Sequence, residues 1–317
     1  MVNLALSWHE AGISAVCLAV AAVAARRSGR PALVAAAGFA GETAVVLALF
    51  GLWQLAGTFV LMGPEGAVDR GQWIWQAERA VHLPSETVVQ LAFLPHPLIV
   101  QALNLYYAGL HFVVVIGCLI WVYVWHRRQY PRVRTTLVLF TAAALLVQFI
   151  PVAPPRMLPG DGMVDTAVRY GQSVYGSVAG FNADQLSAMP SVHVGWALLA
   201  ALVIIEVSRS RWRWLALAYP LLTMLAVVVT ANHYWLDGIA AALLLALALV
   251  VQRVSRALYG RCRARRRADQ PGDLRTPVFT PASTSSARWQ AAWRPGRTSR
   301  STGTSVAQRS MASGQRG

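Results

Sequence analysis

Two short polar segments interrupt the apolar stretches of this 317-residue sequence, and each contains a histidine. The first is Met189-Pro190-Ser191-Val192-His193, at the entry to an apolar run. Pro190 suits the first position of a helix, because its missing N–H would be unpaired there anyway. The next backbone N–H groups and the positive end of the helix dipole form an anion site. Ser191 can add a hydroxyl to it, and we expect His193 to lie beside it.

The second segment is Asn232-His233-Tyr234-Trp235-Leu236-Asp237. In a helix, His233 and Asp237 lie one turn apart on the same face. A carboxylate there accepts the imidazole N–H, fixes the tautomer and leaves the other nitrogen free as base or nucleophile. Arg156 adds a guanidinium that can hold phosphate oxygens in a bidentate fork. These residues suit phosphoryl transfer without a metal: one imidazole attacks phosphorus, the other protonates the leaving oxygen, and cations stabilise the developing charge.

Each of these features also has a purely structural interpretation. An imidazole tolerates the membrane interface, and a His and an Asp four residues apart can simply satisfy one another. Pro190-Ser191 can be an ordinary helix start, and Arg156 can be an interfacial anchor. Their common order and sidedness favour a catalytic site, which is the hypothesis we adopt.

The composition indicates which elements must position these residues. Apolar residues make up 56% of the chain and charged residues 13%, about half the charged share of an average soluble domain. Seven runs of about 17 or more residues carry almost no charge, which is the length a helix needs to cross a bilayer. The sequence therefore predicts an all-α, polytopic transmembrane helix bundle of six or seven spans and excludes a soluble enzyme. The spans are predicted at 8–25, 33–60, 103–125, 135–152, 191–207, 213–232 and 236–252.

The arginines predict the orientation of the bundle. The net charge is +15 and the chain has no lysine. Arginine clusters follow the first, third, fifth and seventh predicted spans, whereas the intervening loops contain few. The positive-inside rule then predicts a multi-pass protein of the cell membrane with the N-terminus outside and the C-terminus in the cytoplasm. All the candidate site residues fall on the extracytoplasmic side.

The chain divides into three predicted regions. Residues 1–69 hold the N-terminal spans, residues 70–255 form the membrane core, and residues 256–317 are a basic, disordered cytoplasmic tail. Because most of the excess charge belongs to the tail, we expect no nucleic-acid partner. The outer connection 61–102 is predicted to contain an amphipathic surface helix, and a second long outer loop covers 153–190.

Further polar side chains inside apolar runs need partners. Asn104, Tyr107 and His111 are spaced to share one face of the third span, where they could form an interhelical hydrogen-bond cluster or line a headgroup pocket. Glu42 lies within the second span and requires a partner or a neutral form.

The order Pro-Ser-x-His followed one span later by His-x-x-x-Asp resembles the type 2 phosphatidic acid phosphatase superfamily. The His-Tyr-x-x-Asp form is more similar to its branch of inositol phosphorylceramide synthases and related inositolphosphotransferases. The resemblance covers about residues 70–255. This chain has Met157 after Arg156 where the phosphatases have proline, Val192 where they have glycine, and Val227 where they have arginine.

The resemblance implies a role for each matched residue. His233 would be the nucleophile that forms a phosphohistidine, and Asp237 would orient it and stabilise its charge. His193 would be the acid for the leaving group and then the base for the acceptor. Ser191 and Arg156 would hold the phosphate, and Arg169 in the same outer loop is expected to replace a missing cation.

We therefore expect an integral membrane lipid phosphatase or phosphotransferase that acts on phosphoester-linked lipid headgroups at the outer membrane face. Its substrate would be a lipid phosphate or a phospholipid, with no metal and no cofactor. Two alternatives remain open. One is a metal-dependent membrane hydrolase with His193, His233 and Asp237 as ligands, and the other is a non-catalytic transporter or lipid-binding protein.

Overall fold

The computed structural model describes residues 7–57, 65–173 and 186–268. Within these ranges the chain forms eleven α-helices and no strand, apart from one isolated parallel bridge between Val152 and Ser187. The helices are α1 (Trp8–Arg27), α2 (Pro31–Gly57), α3 (Ala67–Ala80), α4 (Glu86–Phe93), α5 (Pro97–Leu105), α6 (His111–Trp125), α7 (Tyr130–Gln148), α8 (Thr166–Arg169), α9 (Val192–Val207), α10 (Ala218–Val229) and α11 (Trp235–Ala268).

Six helical segments among the described residues are long and apolar enough to cross a membrane, and α9 is a shorter apolar helix of 16 residues. This confirms the predicted all-α, polytopic membrane fold. One prediction was wrong in detail. Residues 256–268, which we expected to begin the disordered tail, continue α11 instead, because Ala, Arg and Leu are good helix formers. The rest of the predicted tail, 269–317, lies outside the described residues.

The third span is longer than the sequence indicated. It begins at Pro97, six residues before the predicted boundary, and runs without interruption to Trp125. A π-helical turn at Tyr106–Leu110 joins α5 to α6. Such turns insert one residue into a helix and recur at functional sites, because they redirect the side chains that follow. Here the turn carries Tyr107 and is followed at once by His111.

The main hydrophobic core lies between α6, α7, α9 and α11. Phe140 on α7 is fully buried against Gly195 on α9. A Cβ at Gly195 would come within 2.0 Å of the Phe140 ring, so this close helix contact requires glycine. The N-terminal helix α1 packs on α2, and α2 contacts α7. Glu42 on α2 forms an ion pair with Arg134 on α7, in which Oε2 of Glu42 lies 2.5 Å from Nη1 of Arg134.

The predicted surface helix in the connection 61–102 is present as α3, and a second short helix, α4, follows it. Trp73 on α3 is exposed, whereas Ile74 and Glu78 are buried on the opposite side. Gly71 allows α3 to approach Ala153 and Tyr234 closely. A Cβ at this position would lie 2.7 Å from the Ala153 carbonyl oxygen and 2.8 Å from the Tyr234 hydroxyl. The helix therefore packs directly on the loops that carry the candidate site.

Two of these loops are hydrogen-bonded to one another. The Val152 N–H donates to the Leu186 carbonyl at 2.6 Å, and the Ala188 N–H donates to the Val152 carbonyl at 3.2 Å. These bonds hold the segment that leads to Arg156 beside the segment that leads to Ser191 and His193.

Candidate active site

His233 and Asp237 form a buried pair at the start of α11. The Nδ1 atom of His233 lies 3.2 Å from Oδ2 of Asp237 and 2.6 Å from the Ala188 carbonyl oxygen. Because both neighbours are acceptors, Nδ1 carries the hydrogen and Nε2 keeps its lone pair. The same Asp237 oxygen accepts the Tyr234 backbone N–H at 2.9 Å, which fixes the carboxylate.

Ser191 is the N-cap of α9, and its hydroxyl accepts the Val194 N–H at 3.4 Å. Pro190 therefore precedes the cap and does not occupy the first helical position that we predicted for it. The Ser191 N–H donates to the Asp237 carbonyl oxygen at 3.1 Å. This bond links the two histidine-bearing segments directly, although they are 40 residues apart in the chain.

The His193 ring lies among other rings at the entry to α9. Its centroid is 6.1 Å from that of His233, so the two candidate catalytic imidazoles face a common space. Tyr107 stacks on His193 with centroids 4.4 Å apart, and the Phe112 ring meets it edge-on at 5.3 Å. His111 lies 5.0 Å away between centroids. The ring plane of His193 is thus held by aromatic contacts.

Arg156 contacts the loop between α10 and α11, which carries His233. Its guanidinium donates to the side-chain oxygen of Asn232, the neighbour of His233, and its Nε lies 3.4 Å from Oδ2 of Asp165. Its own backbone N–H donates to the Ala231 carbonyl at 3.1 Å. The side chain is buried, with 4% of its surface exposed.

Arg169 is not brought to this cluster by any contact among the described residues. It ends the four-residue helix α8, is exposed, and lies over the ring of Tyr170 at 5.8 Å. The prediction that it replaces a missing phosphate-binding cation therefore has no support from its described contacts. The path of the loop 153–173 determines where the Arg169 side chain lies, and the sequence alone did not predict that path.

Two contacts that the sequence analysis did not predict support the first turn of α11. Glu78 accepts the Leu236 N–H at 2.6 Å, and the Tyr234 hydroxyl donates to the Ala153 carbonyl at 2.8 Å. Burial raises the pKa of Glu78 to about 9, with a further contribution from the neighbouring Glu86 carboxyl. The acid within an amphipathic surface helix, Glu78, was the available signal, but its partner Leu236 lies more than 150 residues away.

Two of the three polar residues singled out in the third span, Asn104 and His111, hydrogen-bond to other elements, which fits the hydrogen-bond interpretation for these two. Asn104 donates to Gln172 at 3.0 Å and accepts from Thr166 at 2.8 Å. His111 is paired with Tyr219 at 2.9 Å. Because His111 also lies beside His193, the network borders the site.

The described residues contain no group of three His, Cys, Asp or Glu side chains arranged to hold a metal ion. His233 and Asp237 are hydrogen-bonded to one another through Nδ1. The alternative of a metal site formed by His193, His233 and Asp237 therefore does not find its ligand geometry in this part of the chain.

The fold and the site define a helical membrane protein with two histidines and a buried carboxylate clustered at one end of its core. A family model described as the PAP2 superfamily matches residues 72–251, which include both histidine segments and Arg156. The chain belongs to the PAP2 superfamily, and this membership supports a phosphatase-type lipid phosphoesterase. A search of curated proteins and a search of solved structures found no match.

Proposed function

We propose that this chain cleaves the phosphoester bond of a lipid headgroup through a covalent phosphohistidine on His233. The observation that carries the proposal is the arrangement of the two imidazoles. Their centroids are 6.1 Å apart, and His233 has its Nδ1 occupied by the Ala188 carbonyl and Asp237. Its Nε2 is therefore the nitrogen with the free lone pair that a nucleophile needs.

In the first half of the reaction, Nε2 of His233 attacks phosphorus and the bond to the lipid oxygen breaks. The Nδ1–H remains bonded to Asp237, whose negative charge stabilises the positive ring. His193, protonated at the start, gives its proton to the leaving lipid oxygen. The products of this half are a lipid alcohol and a phosphorylated His233.

In the second half, water attacks the phosphohistidine. His193, now neutral, takes a proton from that water, and the N–P bond to His233 breaks. Inorganic phosphate leaves and both imidazoles return to their starting states. One histidine thus serves as acid and then as base, so the cycle needs no other proton donor.

The phosphate group would be held by Arg156 and by the start of α9. The backbone amides of Val192 and His193 have no hydrogen-bond partner among the described residues, and amides at a helix N-terminus favour anions. Ser191 contributes through the cap that orients this turn. Arg156, already bonded to Asn232 beside the nucleophile, would supply positive charge to the developing transition state.

The substrate class follows from the membrane setting and the family. A lipid phosphate or phospholipid can present its headgroup at the end of the bundle while its acyl chains stay in the bilayer. The arginine distribution supports an extracytoplasmic site and a cytoplasmic tail. We therefore propose action on the outer leaflet.

The test is incubation of purified full-length protein with vesicles of labelled phosphatidic acid, with His233→Ala and His82→Ala measured in parallel. His82 is an exposed histidine outside the cluster. We expect phosphate release by wild type and by the His82 variant and a loss of about 10⁶-fold in the His233 variant, as for removal of a nucleophile. Equal activity in all three proteins would contradict the proposal.

Transfer of the headgroup to an alcohol is a second candidate, which the departures from the phosphatase pattern favour. Val227, which is fully buried on α10, stands where the phosphatases have arginine, and the chain has no lysine. If an alcohol replaces water in the second half, the phosphoryl group of phosphatidic acid passes to that alcohol and forms a new phosphomonoester, whereas a phosphodiester donor would give a new phosphodiester. Adding inositol to the vesicle assay distinguishes the two: labelled inositol phosphate indicates transfer, and unchanged phosphate release indicates hydrolysis.

A further inference from the structure

His111, the first residue of α6, is a third histidine beside the two candidate catalytic ones. It is fully buried, and its Nδ1 lies 2.9 Å from the hydroxyl of Tyr219 on α10. The same hydroxyl donates to the His111 backbone carbonyl at 3.2 Å. Since a tyrosine has one hydroxyl hydrogen, Nδ1 of His111 supplies the hydrogen of the other bond, and its Nε2 is left as an acceptor.

That Nε2 is buried and has no hydrogen-bond partner. Buried polar atoms are almost always paired, because leaving one unpaired costs about 1–3 kcal/mol. An unpaired acceptor beside a reaction centre therefore calls for a functional explanation. It sits opposite the nitrogen that Tyr219 occupies, on a ring whose centroid is 5.0 Å from that of His193.

His193 could supply the hydrogen-bond donor that Nε2 of His111 lacks. Its ring is held by contacts with Tyr107, Phe112 and His111, but the described residues give neither of its nitrogens a hydrogen bond. A general acid works best when its ring orientation is fixed and its proton faces the leaving group. Ring contacts fix the plane of His193, but they do not determine which nitrogen faces the substrate.

We propose that His111 is a positioning residue for His193, and this rests on the function proposed above. When substrate fills the site and His193 is protonated, one of its N–H groups donates to Nε2 of His111 and the other points to the leaving oxygen. The ring separation allows the nitrogens to reach hydrogen-bond distance, about 3 Å, by a small ring rotation. No proton is transferred to His111, which remains neutral and bonded to Tyr219 throughout.

Two substitutions at the same position separate this role from a structural one. In His111→Gln the longer side chain can place an amide oxygen near the former Nε2, so the acceptor for His193 is kept. In His111→Asn the shorter side chain reaches only the former Nδ1, so the contact with Tyr219 is kept and the acceptor is lost. A positioning role predicts that Gln retains most of kcat and that Asn lowers it at least tenfold, with KM unchanged.

Comparing substrates with different leaving groups provides a second measurement. A change in folding would lower the activity on both substrates equally. A lipid alkoxide needs protonation as it leaves, whereas an aryl phosphate with an acidic phenol does not. We expect His111→Asn to lose at least tenfold on phosphatidic acid and less than threefold on the aryl phosphate. His82→Asn is the matched control, since His82 is exposed and its positive φ of 60° suits asparagine.

The outcomes are distinct. A larger loss in Gln than in Asn would show that His111 only anchors Tyr219 and would overturn the proposal. Equal losses in both variants, or a loss in Asn that is the same for both substrates, would also overturn it. A wild-type protein that is inactive on every phosphoester would instead refute the proposed function, and the role of His111 with it.

Discussion

One imidazole N–H, that of His233, faces two acceptors of different kinds. The Ala188 carbonyl is 2.6 Å from Nδ1 and the Asp237 carboxylate is 3.2 Å from it. The backbone carbonyl can fix the tautomer by itself, so in the proposed reaction the carboxylate would chiefly stabilise the positive charge that develops on the ring. In sites where a carboxylate is the sole partner, its loss also changes the tautomer.

This division predicts an intermediate effect for Asp237→Asn. The tautomer survives through Ala188, but the stabilising charge is lost, so we expect kcat to fall by about 10²-fold, at the lower end of acid–base effects. Single-turnover phosphorylation of His233 measures this step. A loss as large as that of His233→Ala would show that the Ala188 bond does not hold the tautomer.

The sequence predicted some of these residues better than others. The spacing of His233 and Asp237 is local, so one helical turn was enough to pair them, and the structure has that pair. The oxygen of the Ser191 hydroxyl caps its own helix, and the expected contact of this hydroxyl with an anion stays a prediction. Arg169 depends on the course of a long loop, and its contribution to phosphate binding stays a prediction without described contacts.

At the scale of elements, α3 and the start of α11 support one another. Glu78 accepts the Leu236 N–H, and its other carboxyl oxygen is buried without a hydrogen-bond partner. Burial and the neighbouring Glu86 raise the pKa of Glu78 to about 9 from 4.5. Between these values the folded protein holds a proton that the unfolded chain releases, so stability decreases as the pH rises through this window.

Glu78→Gln removes this dependence and keeps the bond to Leu236, because the glutamine carbonyl still accepts the N–H. We expect the variant in detergent to melt above wild type at pH 8, with the difference shrinking as the pH falls toward 4.5. Thermal unfolding of both proteins from pH 5 to 9 measures this. Parallel melting curves across the range would contradict a raised pKa at Glu78.

Helices whose position depends on the length of an apolar run were predicted well. Helices whose position depends on tertiary contacts were predicted less well. All six long spans correspond to predicted apolar runs. The start at Pro97 was missed, because residues 97–102 were assigned to a Pro-broken connection. Nothing in the local sequence of α3 indicated that Glu78 would meet the start of α11, since that contact depends on the folding of the whole core.

At the scale of the molecule, the two ends of the core have different chemistry. The candidate site lies at the start of α9 and α11, whereas ion pairs gather near the other ends of these helices. Arg132 pairs with Glu206 late in α9, and its carbonyl accepts from Gln252 in α11 at 2.8 Å. About 15 residues of α11 separate Asp237 from Gln252, or about 22 Å.

If the candidate site is extracytoplasmic and the other end of the core is cytoplasmic, cysteines at the two ends should differ in their labelling in intact cells. Cys262, exposed near the end of α11, should react with a membrane-impermeant maleimide only after permeabilisation. A Val81→Cys substitution, at an exposed position just after α3, should react without it. A Cys262→Ser protein gives the background. Labelling of Cys262 in intact cells would reverse the proposed orientation.

The central claim is that a phosphoryl group passes through Nε2 of His233. The most direct measurement is an acid-free quench of protein mixed with labelled phosphatidic acid, followed by peptide mapping of the label. We predict an acid-labile, base-stable phosphohistidine at residue 233. A label on any other residue, or turnover with no labelled protein at any time point, would contradict the account.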